Sequence, residues 1–317
     1  MIVYAIPLRN RFRGITVREG VLLRGPAGWG EFCPFADYSD AESAPWLAAA
    51  VEASEAGWPA PVRDRVEVNT TVPVVSPERA HEMVAASGCR TAKVKVADPR
   101  TTLADDCDRV AAVRAALGGG GAIRVDANMA WDVDTAVRAI RELDRAAGGL
   151  EYVEQPCPSV EELAAVRRRD DVRNAADESI RRAEDPLKVA VAGAADVAVI
   201  KVSPLGGVRR ALEVAEACAL PCVVSSAVET SVGLAAGLAL AGALPSLEFA
   251  CGLGTRSLLT GDVTSGSLSP VDGYLPVLRT APEPDLAAAA TADEETRTAW
   301  EQRLARVRTA LSRATSS

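Results

Sequence analysis

The sequence predicts an α/β fold in which a closed (β/α) barrel carries a second, α+β unit. Three observations predict it. Short β-branched runs alternate with Ala/Leu/Arg-rich helical stretches from about residue 66 onward. Eight such runs recur at intervals of 22 to 31 residues, a spacing that suits parallel strands joined by helical crossovers and closed into a ring. No GxGxxG follows any of them, which argues against an open doubly wound sheet.

Taken in order, residues 1–64 read differently from the rest. They carry apparent hairpin strands (MIVYAIPL, ITVREGVLLR, GWGEF) and then a helical stretch from about Asp40 to Ala56. The barrel strands follow at 66–72, 91–96, 122–128, 150–156, 174–179, 196–203, 221–227 and 246–252. Between them, Ser76-Pro77 opens one helix, with Pro in its first turn. In 101–117, Leu103, Cys107, Val110, Ala111, Val113 and Leu117 can share a face, and the glycines of 118–121 stop the helix. Asp132 and Asp134 cap the helix after DAN. The uncharged run between Glu229 and Glu248 holds Gly233, Gly237, Gly242 and Pro245, and reads as a packed helix and loop, not a membrane span. Residues 285–314 are helical and charged on one side. The expected division is therefore 1–64 plus 285–317 as one α+β domain and 65–284 as the barrel.

Composition narrows the chemistry. The 317 residues include 35 Lys plus Arg and 43 Asp plus Glu, a net charge of −8, which argues against nucleic acid or an anionic membrane as partner. Seven Cys, an odd number with no CxxC, read as reduced thiols in a cytoplasmic protein. Only Lys93, Lys95, Lys188 and Lys201 are lysines, and His81 is the one histidine. Arg cannot lose its proton, whereas Lys can. Any amine base is thus confined to four positions, and a three-His zinc site or a Ser–His–Asp hydrolase is disfavoured.

In such a barrel the active site lies at the C-terminal ends of the strands. Those ends carry Lys93 and Lys95, then Asp126 and Asn128, Glu154, Asp177 and Glu178, and Lys201. Three carboxylates from adjacent strands repel unless a cation is present. Asp126, Glu154 and Asp177 are therefore the candidate metal ligands, and their hard oxygens suit Mg²⁺; three unrelated helix-capping acids are the competing reading. Lys95 and Lys201 stand on opposite sides of the mouth, and a desolvated Lys can act as a base near neutrality; a pair of structural salt bridges to the same acids is the competing reading. Lys93 shares the face of Lys95 by period two. Arg124 points the same way as Asp126 and is expected to pair with a neighbouring carboxylate, whereas Glu178 should face the opposite side, where a structural ion pair suits it as well as a site role. Lys93, Arg124, Asn128, Ser225, Ser226 and Gly252 are the candidate substrate-binding positions. Free amides before the apolar helix at Ser225, Ser226 and Glu229 to Ser231 could hold an anion, though ordinary helix capping explains these residues nearly as well. Arg9, Arg11 and Arg13 in the first loop could clamp carboxylates or merely be solvated. Lys188 and His81 read as surface or helix-packing residues.

The set KVK (93–95), DAN (126–128), EQP (154–156), DES (177–179) and KVS (201–203) resembles the enolase superfamily, muconate-lactonising-enzyme subgroup. GWGEFCPF (28–35) resembles its capping domain. The resemblance implies a (β/α)7β TIM-like barrel with an α+β capping domain. Within the subgroup, the short chain, RVDAN (124–128) and SSAVETSVGL (225–234) resemble the o-succinylbenzoate synthase family. That implies Mg²⁺-dependent syn-dehydration of a small cyclohexadiene carboxylate in menaquinone biosynthesis. Lys95 would be the acid–base group and Lys201 the stabilising charge, with Phe12 and Ile15 closing over the ring. The small-molecule carboxylate is then the partner, and a monomer is allowed. CGLGT (251–255) lacks the DxD of the dipeptide epimerases. An N-succinyl or N-acylamino acid racemase on the same lysine pair is the nearest alternative. A Schiff-base aldolase and a non-catalytic barrel are further ones.

Overall fold

The structure, a computed structural model, describes residues 1–181, 187–285 and 291–314. Residues 286–290 and 315–317 of the expected C-terminal segment lie outside the described residues. The chain opens with an antiparallel meander of β1 (Ile2–Phe12), β2 (Ile15–Gly25) and β3 (Gly28–Phe32). The β1–β2 turn consists of Arg13 and Gly14, both at positive φ (48° and 82°), the conformation that matches the twist of a tight hairpin. It aims the tip of the hairpin, and Phe12 with it, at the barrel mouth. Helix α1 (Asp40–Val51) follows, started by a capping box between Ser39 and Glu42.

The barrel strands are β5 (Thr70–Val72), β6 (Thr91–Lys95), β7 (Ala122–Asp126), β8 (Tyr152–Glu154), β9 (Asn174–Ala176), β10 (Val197–Ile200) and β11 (Cys222–Val224), parallel and adjacent in chain order. Two expected strands differ. The 66–72 run is broken at Val68 and Asn69: β4 (Arg65–Glu67) turns away to pair antiparallel with β12 (Tyr274–Pro276). The eighth run, 246–252, forms no ladder. Cys251 bridges Val68 and Gly252 bridges Ser225, which closes the ring with single contacts in place of a strand.

The connecting helices are α2 (Pro77–Ser87), α3 (Leu103–Leu117), α4 (Val133–Ala147), α5 (Val160–Arg167), α6 (Glu178–Arg181), α7 (Leu187–Val191), α8 (Val202–Leu205), α9 (Val208–Cys218) and α10 (Ser231–Ala243). Ser76 caps α2 with Pro77 at its first position. Asp132 alone caps α4; Asp134 pairs with Arg169. On α3, Val110 and Val113 are buried but Ala111 is exposed, and its place in the core is taken by an Asp106–Arg109 ion pair at 2.6 Å. Asp106 also accepts from the Ala97 amide at 2.8 Å, which steadies the loop after Lys95. Helix α10 is buried along almost its whole length, and no helix among the described residues is long and apolar enough to cross a membrane.

Helix α11 (Glu294–Ala314) packs Trp300, Leu304 and Val307 onto the meander. Trp300 donates to Glu19 at 2.9 Å, and Arg303 donates to the carbonyls of Phe35 and Tyr38. The apolar core of this α+β unit runs on into the barrel loops through Ala227, Val228, Val232 and Leu258. Inside the ring, Tyr152, Val197, Val199, Val223 and Phe249 fill the centre.

Candidate functional site

Strand register builds the centre of the site. Lys95 pairs in register with Asp126, and Asp126 with Glu154, so three adjacent strands end at one level. Lys93, Arg124 and Tyr152 form the row two residues deeper. Asp177 follows the end of β9, and Lys201 follows the end of β10, at the start of α8.

Each amine holds a carboxylate. Lys93 Nζ lies 2.9 Å from Asp126 Oδ2 and 2.5 Å from Glu154 Oε1. Lys95 Nζ lies 2.6 Å from Asp126 Oδ2 and donates to Asn128 Oδ1 at 2.6 Å. Lys201 Nζ pairs with Asp177 Oδ2. Burial acts against the charges of Lys93, Lys95, Asp126 and Glu154. For Lys95 it wins: desolvation, helped by the neighbouring Lys93 ammonium, lowers the amine below its ordinary value in spite of Asp126. For Lys93 burial pulls the same way, but two carboxylates in contact hold its proton well above the usual range. Asp126 resists its burial because two lysines face it, and stays well below the carboxylate range. Glu154 is pushed up to about 7 by burial and by Asp126.

Lys93, Lys95, Asp126, Asn128, Lys201, Ser225, Ser226 and Gly252 all border one cavity of about 50 Å³. Its roof comes from the α+β unit: Phe12, Arg13, Phe35 and Trp46. The Phe12 ring centroid lies 5.2 Å from Lys95 Nζ; Ile15 does not reach the cavity and packs in the core of that unit. A second cavity of about 280 Å³ shares Phe12, Arg13, Lys95 and Asn128 and adds Arg11 and Arg100. Arg9 lies in a separate cleft beside α2. Lys188 is exposed, and His81 is an exposed residue of α2 whose ring meets the Ala112 carbonyl at 3.3 Å.

Several expected placements change. Glu178 faces the cavity, not the opposite side, because β9 ends at Ala176 and strand alternation ends with it. Arg124 does not reach the cavity. Its guanidinium closes the barrel interior, pairing with Glu151, donating to Asn69 Oδ1 at 3.2 Å and to the Ala250 carbonyl at 2.6 Å, and lying 4.7 Å from the Tyr152 ring centroid. The amides before α10 are not free for an anion. Glu31 of β3 accepts from Thr230 and Gly233, and Asp262 accepts from Ser231. Glu154 and Asp177 are 1% exposed and do not line the cavity themselves. Phe35, Trp46 and Thr255 line it as well; Phe35 and Thr255 end the GWGEFCPF and CGLGT motifs, whereas Trp46 carries no local sequence signal and is brought there by tertiary packing alone.

The donor set suits a hard divalent cation. Three carboxylates end on adjacent strands, and Glu154 Oε2 is buried without a hydrogen-bond partner among the described residues. The lysines stand among these oxygens, and no three acidic, His or Cys side chains among the described residues close around a single point. Lysine and cation are thus alternative partners for Asp126 and Glu154.

The Enolase N-terminal domain-like family profile matches residues 3–54, and the Enolase C-terminal domain-like profile matches residues 76–282. The o-succinylbenzoate synthase of Thermobifida fusca is 63% identical over 97% of this chain and 95% of that protein. The o-succinylbenzoate synthase of Mycolicibacterium smegmatis is 55% identical over 95% of this chain and 93% of that protein. Among solved structures, the L-Ala-D/L-Glu epimerase of Bacillus subtilis superposes with a TM-score of 0.75 at 26% identity, covering 90% of this chain and 97% of the other.

Proposed function

The chain belongs to the o-succinylbenzoate synthase family of the enolase superfamily, and on that premise we propose that it dehydrates 2-succinyl-6-hydroxy-2,4-cyclohexadiene-1-carboxylate to o-succinylbenzoate, in the cytoplasm and in menaquinone biosynthesis. The observation that carries the chemistry is the lysine pair at one cavity, with Lys95 held as a weakened ammonium. Lys95 in its neutral form takes the proton from the ring carbon next to the carboxylate. As the ammonium it returns that proton to the departing hydroxyl, so that water leaves and the ring becomes aromatic. A single group serves both steps because both bonds break on one face.

Lys201, paired with Asp177, offsets the negative charge that gathers on the substrate carboxylate. Asn128, fixed at φ 46° and accepting from Lys95, orients the amine. Ser225, Ser226 and Gly252 form the wall against which the substrate rests, and Phe12, Phe35 and Trp46 keep water out. Asp126, Glu154 and Asp177 would hold a divalent cation, Mg²⁺ by their hardness, which supplies Lewis-acid neutralisation of the developing enediolate charge. Residues 1–64 with 285–317 act as the capping domain, and 65–284 as the catalytic barrel.

The test follows formation of the aromatic product by absorbance, with and without EDTA. Product formation that EDTA abolishes and added Mg²⁺ restores supports the reading. No product with Mg²⁺ present would sink it and leave the fold untouched.

A further inference from the structure

One wall of the cavity is held from outside the barrel. Ala227 and Val228 line the cavity between Ser226 and the start of α10. Val228 lies at φ +63°, a left-handed conformation that is an outlier for a β-branched residue and needs surroundings that hold it. The hold comes from Arg18 on β2, which is 2% exposed. Its Nε donates to the Val228 carbonyl at 3.0 Å, and its Nη2 donates to the carbonyls of Ala227 at 3.2 Å and Cys33 at 2.5 Å. The guanidinium carbon stands 4.5 Å from the centroid of Phe35, which lines the same cavity. A forked, planar cation can grip two successive carbonyls and lie on a ring at once, which a lysine cannot do.

We propose that Arg18 is a positioning residue for the dehydration: it fixes the left-handed backbone at Val228 and the Phe35 ring, and so sets how tightly the substrate fits that wall. This rests on the activity proposed above. Arg18 touches no reacting atom in this account. Its loss therefore acts on binding, and the proton transfer at Lys95 goes on once the substrate is seated.

The test compares the wild type with Arg18→Lys, Arg18→Met, Val228→Gly and the double variant Arg18→Met with Val228→Gly. Amide hydrogen exchange of residues 226–231 is read on the ligand-free proteins, and kcat and KM are read for product formation. The single Arg18 variants should exchange at least about tenfold faster in that segment, and their KM should rise about tenfold with kcat within about threefold, the loss expected for one charged hydrogen-bonding group. Val228→Gly alone gives the KM of a cavity without that side chain, and because glycine reaches φ +63° without a steric cost, adding Arg18→Met to it should raise KM clearly less than Arg18→Met raises it in the wild type. Unchanged exchange and KM would overturn the proposal, as would a parallel loss of kcat and thermal stability without rescue by Val228→Gly. Should Arg18→Met not fold, Arg18→Lys carries the test, and failure of both to fold assigns Arg18 to the fold and overturns it. If the wild type makes no product, the activity reading fails, while the exchange data still decide whether Arg18 holds the wall.

Discussion

Lys93 and Lys95 are two residues apart on β6, and their surroundings drive their protons in opposite directions. Lys93 touches two carboxylates and keeps its proton; Lys95 touches one, beside another ammonium, and burial weakens its hold. Removing Lys93 leaves Glu154 buried with no amine partner and Asp126 with Lys95 alone. Lys93→Met should therefore cost roughly 3–5 kcal/mol in urea unfolding, with part of the loss recovered by added divalent cation; a loss below about 1 kcal/mol would count against the ion-pair account. Gly252 matters for space. A Cβ there would meet Ser225 Oγ at 2.5 Å, so Gly252→Ala should displace Ser225 and raise KM several-fold with little change in Tm, measured by steady-state kinetics and a melting scan. The ionisable rim was legible in the sequence because strand ends recur once per unit and a barrel's rim is its site. Glu178 departs from the expectation because it lies two residues past the end of its strand, where alternation no longer holds.

At the level of elements, the α+β unit supplies helix caps to the barrel. Glu31 fills the amides at the start of α10, and Glu52, just past α1, accepts from Val208 and Arg209 at the start of α9. These helices follow the strands that lead to Lys201 and to Ser225. Glu52→Gln should cost about 1 kcal/mol by denaturant titration, the size of a lost cap, and a neutral effect would deny it that role. These caps left no trace in the sequence, because their partners are more than 150 residues apart. Of the two readings open for the segment before α10, an anion site and capping, the structure shows capping, and a remote carboxylate supplies it. The eighth strand failed because two isolated bridges suffice to close the ring, too little for a ladder. The alternation of strands and helices survived because each helix must bury one face against the sheet.

For the whole molecule, one apolar core runs from the β-meander through α11 into the loops at the barrel mouth, so the roof of the cavity and its floor belong to different units that pack as one. Tryptophan fluorescence and far-ultraviolet circular dichroism should report one coincident urea transition for the wild type. The Glu31→Gln, Glu52→Gln double variant should separate the two curves, and coincident curves there would show that the caps do not couple the units. The central claim is that one amine, Lys95, does the proton transfer while Lys201 contributes charge. The most direct measurement is kcat/KM for product formation by Lys95→Arg beside Lys201→Arg, since Arg keeps the charge but cannot be a base. The account predicts a loss of at least about 100-fold for Lys95→Arg and a clearly smaller loss for Lys201→Arg. Equal losses, or a more active Lys95→Arg, would contradict it.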